Sequence, residues 1–240
     1  MRIFLAGAAG AIGRRLTPLL VRRGHDVVGT TRAPDKVDEI MALGAQACVV
    51  DVFDRDALIA AVVAAQPGVV IHQLTDLANA PGTPGYEGSQ KRNIRLRREG
   101  TRHLVDAARK AEVRRVIAQS VAFIYADGAV PHAEGDPLDV NAPGIRAQTV
   151  AGVMALEDAV LNTPPAEGVV LRFGYFYGPG TWYDKPAKPP SIHIDAAAHA
   201  TLLALSGPPG VYNIAEDDGA VAIAKARGAL DFDPAIRLEN

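Results

Sequence analysis

Apolar side chains in this sequence fall in short, nearly unbroken runs rather than in strict alternation. The runs are Ile3 to Leu5, Asp26 to Gly29, Ala47 to Val50, Val69 to His72, Val116 to Gln119 and Val169 to Arg172. Without a regular polar face, each reads as a strand covered on both sides. Between them lie stretches with helical spacing at 11–23, 35–43, 54–65, 91–111 and 149–162, several entered through Asp or Pro and left through Gly. Alternating β and α segments predict an α/β fold, a doubly wound parallel sheet with right-handed crossovers. Pro and Gly gather at 80–88, 127–144 and 178–190, after the fourth, fifth and sixth strands. Ligands bind at the carboxyl ends of strands in such sheets, so these loops are the expected walls of a site.

The first strand runs straight into "GAAGAIGRRL", which places glycines at 7, 10 and 13. After a strand and before a helix, this spacing has a mechanical meaning. The first glycine permits the tight turn, the second lets a pyrophosphate approach the backbone, and the third lets helix pack on strand. The helix N-terminus then faces the phosphates. The expected nucleotide-binding set is Gly7, Ala9, Gly10, Ala11, Ile12 and Gly13, with Arg32 after the second strand, Asp51 and Val52 after the third, and Gln73 and Leu74 after the fourth. The second strand ends in Thr30, Thr31 and Arg32, where a cofactor without a 2′-phosphate usually meets an acidic side chain. An arginine there suits a phosphate, with Arg14 and Lys36 as helpers, so NADP is expected and NAD is the alternative. Asp51 is read either as a contact to the adenine edge or as the cap of the helix at 54–65.

Composition narrows the ligand class. The 240 residues, 48% of them hydrophobic, suffice for one substantial core. A net charge of −2 gives no basic field for nucleic acid and no cationic face for a membrane surface, which leaves small molecules as the expected partners. The single cysteine, Cys48, excludes an internal disulfide framework and fits a reducing compartment. Glycines interrupt the apolar start and Arg14-Arg15 follows it, so no export signal, no membrane span and a cytoplasmic protein are expected. Asp51, His72 and His132 show no metal-ligand spacing, and no metal is assigned.

Seven stretches in order, "GAAGAIGRRL", "VVIHQLT", "NIRLRREGTRHLVDAAR", "VIAQSVAFIYA", "LRFGYFYGPG", "IHIDAAAHA" and "GVYNIAED", make the chain resemble the atypical and extended short-chain dehydrogenase/reductase superfamily, in its NAD-dependent epimerase/dehydratase branch. The resemblance implies a dinucleotide-binding domain over 1–174 and a small substrate lobe over 175–240, interleaved with the last sheet elements. It implies chemistry by a Ser or Thr with a Tyr-x-x-x-Lys pair, the tyrosine exchanging a proton and the lysine lowering its pKa and holding the ribose. Anchored on Glu157, the lysine position falls on Val153 and the tyrosine position on Thr149, while the serine position falls on Val121, one residue after Ser120. No Tyr-x-x-x-Lys occurs anywhere in the chain. The segment 181–191 is short for a branch that builds much of its sugar-nucleotide pocket there.

Ser120, Tyr125 and Tyr175 are therefore the candidate proton donors, all near the carboxyl ends of the fifth and sixth strands, with Tyr177 close by. Two functions stand open: an NADP-dependent oxidoreductase-like protein acting on a small carbonyl or hydroxyl compound, or a non-catalytic NADP-binding sensor. The helices at 91–111 and 149–162 resemble the pair that forms a four-helix dimer interface in this superfamily. Val150, Val153, Met154, Leu156, Val160 and Leu161 supply the apolar surface for a homodimer, unless both faces are buried within one chain.

Overall fold

The computed structural model describes residues 1–238. The chain begins with β1 (Arg2–Ala6), α1 (Ala11–Arg22), β2 (Asp26–Thr31), α2 (Val37–Ala42), β3 (Gln46–Val49), α3 (Arg55–Ala65) and β4 (Val69–His72). α4 (Tyr86–Arg95), a π-helical turn (Leu96–Gly100) and α5 (Thr101–Lys110) follow, their junctions all helical in backbone angle, and lead to β5 (Arg115–Val121). α6 (Gly144–Leu161), β6 (Glu167–Phe173), β7 (Tyr175–Tyr177), β8 (Ser191–His193), α7 (Ile194–Leu203), β9 (Gly210–Ile214) and α8 (Ala224–Leu230) complete the described chain.

Seven strands form one sheet in the order β3-β2-β1-β4-β5-β6-β9, every neighbouring pair parallel. The progression runs outward one way from β1 and the other way from β4, so the order reverses between these two strands. Ala6 pairs with Thr30 on one side and His72 on the other, which opens a crevice above the carboxyl ends of β1 and β4. Successive residues of β1 serve opposite faces: Ile3 and Leu5 join the layer with Leu16, Leu20 and Ala200, and Phe4 joins that with Val62, Leu104 and Leu156. Both layers exclude water from the sheet, as the unbroken apolar runs require.

Differences from the expected elements have local causes. The helix expected over 149–162 begins at Gly144, whose φ of +60° needs a glycine, and Arg146 ties the added turn down by bonding Asp139 and the carbonyls of Phe123 and Tyr125. The helix expected over 91–111 begins at Tyr86 and contains the π turn. Residues 175–238 return β9 to the sheet edge and lay the alanine-rich α7 against α1, sharing one core with β1, while β7 and β8 form a separate two-stranded sheet. On α6, Val150, Val153, Leu156 and Val160 are buried within the chain, whereas Met154 and Leu161 are 44% and 38% exposed.

Candidate functional site

The glycine turn meets the crevice as its spacing predicts. Gly7 holds φ +94°, and a Cβ there would lie 2.9 Å from the carbonyl oxygen of Gln73. A Cβ on Gly13 would run into the carbonyl oxygens of Gly7 and Ala8, so α1 approaches β1 closely only because no side chain intervenes. A Cβ at Gly10, by contrast, would meet only the Gly7 carbonyl oxygen, at 3.2 Å. The space beyond Gly10 is open. Gly10 caps α1 without a side-chain bond and no acidic residue occupies the first turn, which leaves the positive end of a 12-residue helix facing the crevice.

The cleft is lined by Gly7, Ala9 and Gly10 from the turn, Thr30, Thr31 and Arg32 from β2, Asp51 and Val52 after β3, and Gln73 and Leu74 after β4. Ala11 and Ile12 are in the first turn of α1 behind this lining, with Ile12 buried. Asp51 accepts a 2.9 Å bond from the Phe53 amide, whereas Asp54 caps α3 through the Ala57 amide at 3.1 Å. The capping role thus goes to Asp54, and the Asp51 side chain stays at the cleft edge. Arg14 and Lys36 both engage Glu39. Arg32 is exposed, with no ion-pair partner among the described residues. The side-chain oxygen of Gln73 is buried without a partner among them, while its amide bonds Thr201. An orphaned acceptor, an open backbone cradle and an unpaired cation in one cleft fit a dinucleotide.

Among the lining residues that escape a reading of glycine spacing are Asp76, Arg92 and Leu96. Asp76 is held between Arg92, the Ser89 hydroxyl and the Ala78 amide. These bonds keep its carboxyl below the ordinary range although burial alone would raise it. Arg92 and Leu96 lie one helical turn apart on the inner face of α4 and the π turn, a signal present in the sequence but without a partner to point at.

Ser120 and Tyr125 come together in one buried network. The Ser120 hydroxyl donates to Glu157 at 2.7 Å, and Arg172 grips the same carboxylate with two bonds of 2.8 and 2.6 Å. A third donor of Arg172 reaches the Tyr125 hydroxyl at 2.8 Å, and that hydroxyl donates to Asn213 at 2.7 Å. Burial pushes the Tyr125 pKa up despite Arg172. Its ring stacks on His132 at 4.9 Å. Tyr177 is likewise engaged, donating to Glu216 and accepting from Arg237, its pKa pushed up to about 12 by burial and by Glu216.

Tyr175 stands apart from the network. Its ring stacks flat on Phe123, centroids 4.1 Å apart, and the Lys188 ammonium lies 4.5 Å from its centroid. Its hydroxyl makes no hydrogen bond among the described residues. Nearby, Trp182 meets Tyr86 edge-on at 6.3 Å and donates to the Leu77 carbonyl. Val121 and Val153 pack with Ile124 and Val150 in an apolar cluster, and the Thr149 hydroxyl bonds the Ile145 carbonyl. His72 is buried at the end of β4. Its Nδ1 accepts from the Leu74 amide, so Nε2 carries the proton toward Thr101 at 3.0 Å, and burial lowers its pKa to about 4. Among the described residues no His, Cys, Asp and Glu gather as a metal-binding group, and no helix is long and apolar enough to cross a membrane.

A parallel sheet with a crevice at its topological switch point, a glycine turn and an open helix N-terminus together define a Rossmann-type dinucleotide-binding protein. The chain belongs to the NAD(P)H-binding family, whose model matches residues 7–176. It is 44% identical over 185 residues to a 3-diazoavenalumate denitrifying reductase from a Streptomyces species, covering 76% of this chain and 59% of that protein. It is also 30% identical over 183 residues to a dTDP-4-dehydrorhamnose reductase of Streptomyces griseus, covering 75% and 51%. The chain thus spans between half and three-fifths of the length of these relatives. Its fold matches that of a Thermotoga maritima UDP-glucose 4-epimerase, with a TM-score of 0.79, 16% identity and coverage of 99% of this chain and 94% of the other. The structural neighbours lie in the NAD-dependent epimerase/dehydratase superfamily, and several were crystallised with NAD.

Proposed function

We propose that this chain is an NADPH-dependent reductase of a small carbonyl compound. The observation that carries the cofactor choice is the end of β2, where Thr30, Thr31 and Arg32 line the cleft and no carboxylate stands among them. A planar guanidinium suits a 2′-phosphate, whereas a bare ribose is usually met by an acidic group. Reduction rather than sensing is favoured because both relatives described above are named as reductases.

When bound, the cofactor supplies the hydride. The chain's own residues must then bind and orient the substrate over β5 and β6 and deliver one proton to the carbonyl oxygen. Tyr175 is our assignment for that proton, because its hydroxyl is uncommitted while those of Ser120 and Tyr125 are held by Glu157, Arg172 and Asn213. Ser120 and Tyr125 serve in this reading as the rigid floor on which the loop carrying Phe123 is set, with Phe123 in turn stacked on Tyr175. The short 181–191 segment favours a small substrate over a buried nucleotide sugar.

We also infer a homodimer through the helical segment at 91–111 and α6, supported by the exposed Met154 and Leu161, and a cytoplasmic setting, supported by the single Cys48. Titration with NADP and NAD, followed by NADPH oxidation against a panel of aldehydes, ketones and quinones, tests the function. Tight NADPH binding without turnover on the whole panel overturns the reductase reading, and a monomer in light scattering at micromolar concentration overturns the dimer.

A further inference from the structure

Of the four arginines on α4 and the following turn, two are paired and Arg98 is exposed. Arg92 pairs with Asp76 and Arg95 with Glu99. Arg97 differs: it is part-buried, has no hydrogen bond or ion pair among the described residues, and lies close enough to the buried His72 for its charge to act on the imidazole. Burial pulls its pKa down to about 10, so it stays charged at neutral pH.

Its neighbours locate it. Leu96, the residue before it, lines the nucleotide cleft, and Gly100, one turn on, faces Val52 at the cleft edge. Arg97 itself turns the other way, toward α6: a Cβ built on Gly152 would lie 3.7 Å from the Arg97 Cβ and 3.6 Å from the Ile94 carbonyl oxygen. The absence of a side chain at 152 lets the π turn press against α6 and sets Arg97 against Gly152, the residue before Val153. His72 ends β4, and β4 pairs with β5, which carries Ser120. Arg97 therefore occupies the seam between the cleft above β1 and β4 and the network at the end of β5.

The cations of the neighbouring β5–β6 network are committed. Arg172 is spent on Glu157 and Tyr125, Arg146 is tied to Asp139, and Val153 is fully buried and apolar. A part-buried guanidinium without an acceptor is unfavourable on its own, and it becomes favourable once acceptors fill the seam. With phosphates on the glycine turn at β1 and the 2′-phosphate at β2, the sheet order carries the other half of a dinucleotide across β4 toward β5.

We propose that Arg97 binds the nicotinamide-ribose half of the cofactor, its fork of donors meeting the vicinal ribose hydroxyls from the π turn, in place of a cation at position 153. This rests on the cofactor reading above and goes beyond it by naming a residue on a different helix for that half. Guanidinium geometry suits two adjacent oxygens, and its entry from the facing helix accounts for an apolar position 153.

The test is calorimetric titration of the parent, Arg97→Gln and Arg97→Lys with NADP and with 2′,5′-ADP, which keeps the phosphorylated adenosine but lacks the nicotinamide half. Arg97→Gln is expected to weaken NADP about tenfold or more while changing 2′,5′-ADP less than about twofold. Arg97→Lys is expected to recover part of the NADP loss, and its circular dichroism and melting temperature show that the seam still folds. Unchanged NADP affinity in Arg97→Gln, or an equal loss for both ligands, overturns the proposal. A parent that binds neither ligand overturns the cofactor reading itself, and this proposal with it.

Discussion

Ser120 donates its hydroxyl proton to Glu157 at 2.7 Å, from the end of β5 to the C-terminal part of α6, and Arg172 on β6 grips both oxygens of that carboxylate. Glu157 and Arg172 are both buried, with side chains 8% and 6% exposed. A charge pair this far from water is stable only as a pair. Removing one partner by Glu157→Leu or Arg172→Met is expected to destabilise the fold by about 3–5 kcal/mol, and the double variant by less than the sum. Urea unfolding of the three variants checks this. Additive losses would mean that the two side chains do not depend on each other.

The glycines of the turn separate into two kinds. Gly10→Val is expected to leave the fold intact and abolish measurable cofactor binding, since the open space above Gly10 is where the side chain would go. Gly13→Ala is expected to destabilise the protein itself, because its Cβ meets the backbone of Gly7 and Ala8. Thermal melts and NADP titration of both variants distinguish the two effects. Equal cofactor affinity in Gly10→Val and the parent would contradict the first.

Arg32→Ala should weaken NADP by about tenfold or more and leave NAD nearly unchanged, as expected for a lost charge-assisted bond to a 2′-phosphate. Parallel titrations with the two cofactors decide it. Loss of both to the same extent would assign Arg32 a structural role.

His72 makes stability depend on pH. Its folded pKa, about 4, lies below the ordinary histidine value of 6.5, so the unfolded chain binds the proton more readily. Stability is complete above about pH 6.5 and falls as the pH drops toward 4, with a loss of about 2 kcal/mol from this group between pH 7.5 and 5. Urea unfolding at the two pH values is expected to show that much less pH dependence in His72→Asn than in the parent. An unchanged slope would show that His72 does not carry the effect.

Tyr175 and Tyr125 should respond differently to loss of the hydroxyl. Tyr175→Phe is expected to lower turnover about a hundredfold with little change in stability, as for a positioned general acid. Tyr125→Phe is expected to cost about 1–3 kcal/mol of stability, because it leaves buried groups of Asn213 and Arg172 without their partner. Steady-state rates beside melting curves check both. A Tyr175→Phe variant within tenfold of the parent would remove Tyr175 as the donor.

Local features of the chain were sufficient for the framework. The apolar runs identified six strands of the main sheet, and the glycine spacing located the cleft, because strand burial, tight turns and helix starts depend on residues close in sequence. β9 was legible only as a resemblance, since its apolar run is broken by Asn213, which is buried only once it meets Glu134 and His132. The cap of α3 illustrates the limit of local reading: Asp51 and Asp54 both suit the role, and backbone geometry chose Asp54. The network of Ser120, Glu157, Arg172, Tyr125 and Asn213 lay beyond local reading, because its members come from three strands, a helix and a loop that meet only after the crossovers are packed. Arg97 was hidden for a further reason. The π turn from Leu96 to Gly100 breaks the 3.6-residue phase, so which side chain faces the cleft and which faces α6 is decided by the widened turn and by Gly152 across the seam.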